Sequence, residues 1–436
     1  MPGAVEEPQQ VQADEEYERV WERVAAIDVA KASGVVCTRV PDEDRPGRRK
    51  MHVWMVKATV PAVTELADHL RSRQIQVVTL ESTSDYWRIR NVPGRAKTDK
   101  KDAVWLAKLT ERGLLPPSFV PPPQIRRLRE FTRLRADLVH ERSRYWARLE
   151  KLPERALIKI SAVASTLDTD SCRAMIEALI AGERNPEVIA DLAIGRMRPK
   201  RAALAEALHG DWQPHHGELA RILLGQSDAL TAQIDALTAR VSELIAQIPA
   251  AQGVDADGVT GPQAGYGPGA PVLPAVARLD EITGRGVIAA QAVIAEAGLD
   301  MTVFGTPGRL VSRAKRCPRT RQSGKKTTGG KTGKGNPWLN GILGEIAASA
   351  SRTDTFLGER YRRIARRRGK RKALAAVARS ILVIIFCLLA DRQARFRDLG
   401  PDWYDRCIDK HRKTRNLIRQ LEALSHTVTL GTPAAA

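Results

Sequence analysis

Three absences narrow what this chain can be. It has only 5 cysteines in 436 residues. Cys37, Cys172, Cys317, Cys387 and Cys407 are far apart and odd in number, and no two form a Cys-x-x-Cys pair. That spacing argues against a zinc ribbon and for reduced thiols in a cytoplasmic setting. A long apolar run is missing too. The strongest, at 380–390 (SILVIIFCLLA), is too short to cross a bilayer and is bounded by Arg379 and Asp391, so a buried helix and no membrane partner are expected. The acidic start (Glu6, Glu7, Asp14, Glu15, Glu16) does not read as a signal peptide. Finally, no Asp or Glu occurs anywhere between Met301 and Gly344.

What is present is positive charge. Seventy Lys and Arg stand against 50 Asp and Glu, a net charge of +20 and a pI near 10.1. Such a balance favours a polyanion, either nucleic acid or an anionic membrane surface. With no membrane-length segment, nucleic acid is the better partner. The length suits two or three domains.

Within this basic chain, Lys97-Thr-Asp99-Lys-Lys-Asp102-Ala103 opens a helical pattern (Val104, Leu106, Ala107, Leu109). Positions i and i+3 share a helix face, so Asp99 and Asp102 can address one spot. Paired carboxylates suit a hard divalent cation such as Mg²⁺, which in phosphodiester cleavage clamps the reacting oxygens. The alternative is that both acids simply favour the first helical turn.

Further upstream, the order reads as three strands, a helix and a strand. The runs are 24–31, 34–40 and 51–57, then helical spacing at Val63, Leu66 and Leu70, then 76–81 ending on Glu81. The stretch 41–50 suits a hairpin loop. This is the order of a ribonuclease H-like α/β domain. Asp28 stands inside an apolar strand, where a carboxylate is costly unless it binds something or caps a turn. It would meet Glu81 if the first and fourth strands are neighbours.

Beyond Pro116–Pro123, a long charged helix is expected from Gln124 to about Lys151. A later helix carries Leu223, Leu230, Ile234, Leu237, Val241, Leu244 and Ile248 in steps of four and three, with a gap at Ser227. That is a heptad seam, read as a coiled coil or as a single long helix packed in its own domain. Gln252 to Pro274 is a Gly/Pro/Ala-rich linker. Two glycines around Arg285, between apolar helices, suggest a helix-hairpin-helix start. The acid-free stretch then gathers Arg319, Arg321, Lys325, Lys326, Lys331 and Lys334 around Gln322-Ser323-Gly324. Glycines let backbone approach phosphates and the cations neutralise them. The spacing is one residue too long for a Walker-type loop. A loop anchored on both sides is expected, because Trp338 resumes an apolar helix at once. A second basic cluster lies at 360–372.

Four motifs together resemble one family: Ala26-Ile-Asp28-Val-Ala-Lys31, Leu80-Glu81-Ser-Thr-Ser-Asp-Tyr-Trp87, the Asp99/Asp102 stretch, and Cys317-Pro-Arg-Thr-Arg-Gln-Ser323-Gly324. The chain resembles the insertion-sequence transposases that join a RuvC-type ribonuclease H-like domain, with a DEDD acid set, to a serine transposase domain. The resemblance implies that Asp28, Glu81, Asp99 and Asp102 hold Mg²⁺. It also implies that Ser323 forms a covalent link to a DNA phosphate. Double-stranded DNA and a structured non-coding RNA from the same element would be the partners, with a homodimer or tetramer formed through the coiled coil. The expected organisation is a disordered lead-in at 1–20 and a RuvC-like domain at 21–115. A helical coiled-coil region follows at 124–250, a linker at 251–274, a mainly α serine transposase domain at 275–425 and a tail at 426–436.

One departure stands out. The family has a helix and a strand between the glutamate and the aspartate pair, and only residues 82–98 are available for them. A parallel strand needs a crossover of roughly a dozen residues plus about five of its own. The domain is therefore expected to lack one helix and one strand, as in a degenerate copy. Two other readings stay open: a protein that binds DNA or RNA without cutting, and a metal-dependent resolvase-type nuclease in which Ser323 is structural.

Overall fold

The computed structural model describes residues 20–80, 98–115, 120–254, 260–261, 272–282, 286–317, 320–323, 326–329, 333, 335–407 and 409–431, with the backbone alone at 260–261, 320–323, 326–329, 405 and 410. The chain divides into two compact units, Met1–Phe119 and Val120–Ala436.

The first unit has the expected element order: β1 (Val24–Val29), β2 (Ser33–Pro41), β3 (Arg49–Lys57), α1 (Val60–Ser72), β4 (Val77–Leu80) and α2 (Asp99–Glu111). The sheet order is β3-β2-β1-β4, with β1 antiparallel to β2 and parallel to β4. Period-two alternation gives each strand two faces. Ala25, Val36, Leu66 and Leu70 pack the α1 face. Ala26, Val35, Cys37 and Met51 pack the other face against Ala103, Leu106 and Ala107 of α2. The described residues thus form a small mixed sheet with a helix on each face, the α/β arrangement of a ribonuclease H-like N-terminus. Residues 81–97, on which the expected loss of a helix and strand rests, lie outside the described residues.

A buried ion cluster closes one end of this unit. Arg39 Nε donates to Glu111 Oε2 at 2.9 Å, and Arg49 reaches Glu111 Oε1 from β3. The side chains of Arg39, Arg49 and Glu111 are 3%, 7% and 4% exposed. The sequence signals none of this, because the partners are 72 and 62 residues apart (111 minus 39, 111 minus 49).

In the second unit, α3 (Pro123–Arg155) and α8 (Pro214–Ala246) form a long antiparallel pair. Arg135 reaches Thr238, and Arg142 donates to Thr231 at 3.2 Å, so advancing seven residues on α3 retreats seven on α8. Val241 and Leu244 of the heptad seam share a core with Ile125 and Leu128 of α3, Leu230 and Leu237 are half-buried, and Ser227 in the seam's gap is buried. Between the two helices, α4 (Ile160–Val163), α5 (Asp170–Ala181), α6 (Pro186–Ala190) and α7 (Arg201–Ala207) build a satellite core around Met175, Ile176 and Leu204.

The stretch expected as a linker carries β5 (Gly253–Val254) paired with β6 (Thr260–Gly261), and Val254 bridges to Val272. The mainly helical remainder follows as α9 (Ala275–Asp280), α10 (Gly286–Ala297), α11 (Pro307–Arg313), β7 (Thr320–Ser323), β8 (Lys326–Gly329), α12 (Pro337–Ala350), α13 (Phe356–Arg368), α14 (Lys370–Ala390), α15 (Trp403–Arg406) and α16 (Lys410–Glu422). One core joins the paired end of α3 and α8 (Ile125, Leu128, Val241, Leu244) to α9–α12 and α14. Helix α14 is long and apolar enough by composition to cross a membrane, but Val377, Ile381, Leu382 and Ile385 are buried at its centre. It is the buried helix that the sequence suggested.

Two predictions follow from this packing. Glu111→Ala strands two buried guanidiniums and is expected to destabilise the first unit by about 3–5 kcal/mol. Hydrogen exchange at β2 and β3 amides should speed up accordingly, and unchanged protection would refute the role. Burial under α2 pushes the Cys37 thiol up to about 12. At pH 8.5 a thiol reagent should label exposed Cys387 and Cys407 and spare Cys37, as counted by mass spectrometry.

Candidate functional site

Two places carry the sequence-predicted residues, one in each unit.

In the first unit, α2 begins at N-cap Thr98, whose side chain accepts from the Lys101 amide at 3.3 Å. The cap is therefore Thr98, and Asp99 and Asp102 follow in the first turn, favourable to the helix dipole. The far end of α2 is tied to the start of β1. Glu111 O accepts from the amides of Val20 and Trp21 at 3.0 and 3.1 Å, and the Glu111 carboxylate holds Arg39, the partner of Val24. So α2 runs antiparallel to β1, and its first turn lies toward the end of β1 that bears Asp28.

Spacing refines this. Nine residues of helix, from Glu111 back to Asp102, span about 13–14 Å. Four strand residues, from Val24 to Asp28, span about 13 Å. Asp28 shares the α2-facing side with Ala26, and its cross-strand partner Val35 packs in the same cluster. Asp28 and Asp102 thus come level on one face of the sheet, both half-buried, with Asp99 exposed nearby. Glu81 lies outside the described residues. The parallel pairing of β1 with β4 runs as far as Ile27–Leu80, one residue short of Asp28. Among the described residues, no three His, Cys, Asp or Glu gather into a metal-holding group. The donors that are brought together are carboxylate oxygens, which fit a hard divalent cation and not a thiophilic one.

In the second unit, β7 and β8 form a hairpin with a two-residue connection. Ser323 is the last residue of β7 and pairs with Lys326; Arg321 pairs with Thr328. Of the other predicted phosphate-contacting residues, Arg319, Lys325, Lys331 and Lys334 lie outside the described residues. The expectation of a loop anchored on both sides holds in part. Both feet are fixed, but the element between them is a β-hairpin.

The anchoring is specific. At the entry foot, Arg316 donates to Asn340 Oδ1 at 2.7 Å and to Asn340 O at 2.8 Å. At the exit foot, Gly335 has φ +58°, and a Cβ there would lie 2.7 Å from Ala314 O, so only glycine lets the two feet touch. Next to it, Asn336 caps α12 by accepting from the amides of Trp338 and Leu339. Its amide donates to Glu296 Oε2 at 2.5 Å.

Glu296 is the residue that sequence reasoning missed. Its side chain is 1% exposed, at the end of α10. Arg133 grips it with two hydrogen bonds, at 2.7 and 2.9 Å, and Arg129 donates to the Ala295 and Glu296 carbonyls at 2.6 and 2.7 Å. The hydrogen bond to Glu296 lifts the pKa of Arg133, whereas burial lowers that of Arg129. One carboxylate thus locks α3, α10 and the hairpin foot together. The signal existed: Glu296 is a lone acid in an apolar helical run, the anomaly that marks Asp28.

Comparison with known families finds a match in each unit. A family model of the DEDD transposase of IS110 matches residues 43–156, and a model described as "Transposase IS116/IS110/IS902 family" matches residues 276–362. The chain carries IS110-type transposase domains. No curated protein matches it. Both matched families are transposases, so the matches imply an enzyme acting on DNA, in transposition or recombination. The first match takes in Glu81, Asp99 and Asp102 and starts after Asp28; it also crosses from the first unit into α3. The second runs from α9 into α13 and contains the whole hairpin and Glu296.

Glu296→Ala leaves the Arg133 and Arg129 guanidiniums without their carboxylate, a loss of about 2–5 kcal/mol. The hairpin foot at Asn336 should loosen first. Limited proteolysis between Arg313 and Asn336 should then speed up well before global unfolding. Equal cleavage rates in the two proteins would exclude an anchoring role.

Proposed function

We propose that this transposase cuts and rejoins DNA strands through Ser323, with an acidic set of Asp28, Glu81, Asp99 and Asp102. The observation that carries the reading is the position of Ser323 at the tip of a basic hairpin whose two feet are locked by Arg316–Asn340 and Asn336–Glu296. A nucleophile must be held near its attack position, and a hairpin on fixed feet provides that better than a free loop.

In the proposed step, Ser323 Oγ forms a bond to the scissile phosphorus, and the P–O bond to the leaving strand breaks. The serine proton passes to a base, and the leaving oxygen takes up a proton. In rejoining, the incoming strand's hydroxyl displaces Ser323 and restores its proton. Lys326, paired with the serine, and its cationic neighbours Arg319, Arg321, Lys325, Lys331 and Lys334 neutralise the charge that grows on the phosphate oxygens. A free serine is a weak nucleophile and needs activation. A divalent cation, Mg²⁺ in this reading, supplies charge neutralisation and a lowered pKa when bound to the acids. Asp28 and Asp102, level on one face, would be its first ligands, with Asp99 and Glu81 completing the proposed set. A structured RNA from the same element would select the DNA partners. A homodimer or tetramer through the coiled-coil region remains part of this reading.

The test is a covalent adduct. Protein, divalent cation, element-end DNA and the adjacent RNA are resolved on a denaturing gel. Ser323→Ala should abolish the shifted band, and Asp28→Asn should reduce it by about 100-fold or more. Cleavage that survives Ser323→Ala but not Asp28→Asn would instead establish a resolvase-type nuclease. Binding without cleavage in the unaltered protein would establish a copy that has lost its chemistry, consistent with the expected shortening between residues 81 and 98.

A further inference from the structure

We propose that the corner between α13 and α14 is a second DNA-docking surface, one that grips the phosphate backbone of a duplex. The proposal rests on the reading of this chain as a DNA-acting enzyme. It adds a site outside both matched segments, the second of which ends at residue 362.

Residues 366–372 are seven consecutive exposed positions, and six of them are cations: Arg366, Arg367, Arg368, Lys370, Arg371 and Lys372. Their neighbours one turn earlier are engaged. Arg360 donates to Tyr404 at 2.9 Å, Arg362 pairs with Glu359 and Asp354, and Arg363 stacks over the Tyr404 ring at 4.1 Å. None of the six corner cations is paired with a carboxylate among the described residues. So the protein ties down the earlier arginines and leaves this cluster solvated.

Helix stability does not explain the cluster. Arg366, Arg367 and Arg368 in the last turn of α13 do suit that helix's dipole. Lys370, Arg371 and Lys372 do not. They stand in the first turn of α14, where the dipole is positive, with no acid in that turn and no side-chain cap. Three cations at the wrong end of a helix oppose its formation, and repulsion from the three arginines across Gly369 adds to this. Gly369 has φ +82° and ψ 159°, a backbone region essentially confined to glycine, and it joins the two helices without any further linking residue. The six charges are therefore concentrated at a fixed bend. A polyanion with regularly spaced charges relieves that repulsion, and a duplex backbone supplies charges at the needed density.

The experiment measures duplex DNA binding by the full-length protein as a function of salt. The variant is Lys370→Ala/Arg371→Ala/Lys372→Ala. A charge-matched control, Arg196→Ala/Arg198→Ala/Arg221→Ala, removes three exposed arginines elsewhere in the second unit. The corner variant should bind about 100-fold more weakly at 0.15 M salt, with a log–log salt slope shallower by about 2.7, while the control changes by less than about threefold. Its thermal midpoint should be equal to or above that of the unaltered protein, because the removed charges oppose the α14 dipole; a lowered midpoint would overturn that argument. Unaltered binding by the corner variant, with tight binding by the parent, overturns this proposal alone. A parent that binds no duplex overturns the DNA reading itself. Loss confined to a structured RNA arm, with duplex binding intact, overturns the assignment to DNA.

Discussion

Glu296 carries a negative charge at a position that solvent hardly reaches, and everything around the serine hairpin is arranged to make that tolerable. A carboxylate buried without partners would be severely destabilising. Here Arg133 satisfies both of its oxygens, Arg129 binds the adjacent carbonyls, and Asn336 completes the set from the foot of the hairpin. The partners come from α3 and from the start of α12, and Glu296 itself from the end of α10. Removing Arg133 would strip both oxygens of the buried carboxylate of their cation, so the long antiparallel helix pair and the hairpin foot are linked through Glu296. The antiparallel pairing of α3 with α8 matters to function for this reason, because it holds Arg129 and Arg133 where α10 ends.

The first unit uses the same device. Glu111 lies between Arg39 and Arg49, and this cluster fixes the last turn of α2 against the start of β1. Once that end is fixed, helix rise and strand rise bring Asp102 level with Asp28. In both units a buried acid held by two arginines fixes an element that leads to residues proposed for chemistry, α2 in the first and the hairpin foot in the second. A rigid support is costly in desolvation and useful for placement.

Charge divides into two roles in this chain. Arginines that meet carboxylates, such as Arg133, Arg362 and Arg395, belong to the architecture. Cations that meet none, at the α13–α14 corner, remain available to an external polyanion. A net charge of +20 alone cannot separate these roles, because an arginine in an ion network and one facing DNA count equally in composition.

Local pattern was enough to read the strand–helix order of the first unit, the helix that begins at Thr98, the apolar heptad face of α8 and the burial of α14. Period two, period 3.6, caps and glycines are short-range properties that a single sequence displays. The acid in the middle of β1 was legible for a similar reason, since it is chemically out of place in its own segment, whereas Ser323 in its polar stretch stood out only through the family resemblance. Tertiary structure alone decided which face meets which. It paired α8 with α3 antiparallel, made a hairpin of the basic stretch, brought Asp28 level with Asp102, and joined Glu296 to partners more than a hundred residues away in sequence on α3 and 40 residues away at Asn336. Those outcomes depend on long-range pairing and on the cost of burying charge, and neither is written in any local window of the chain.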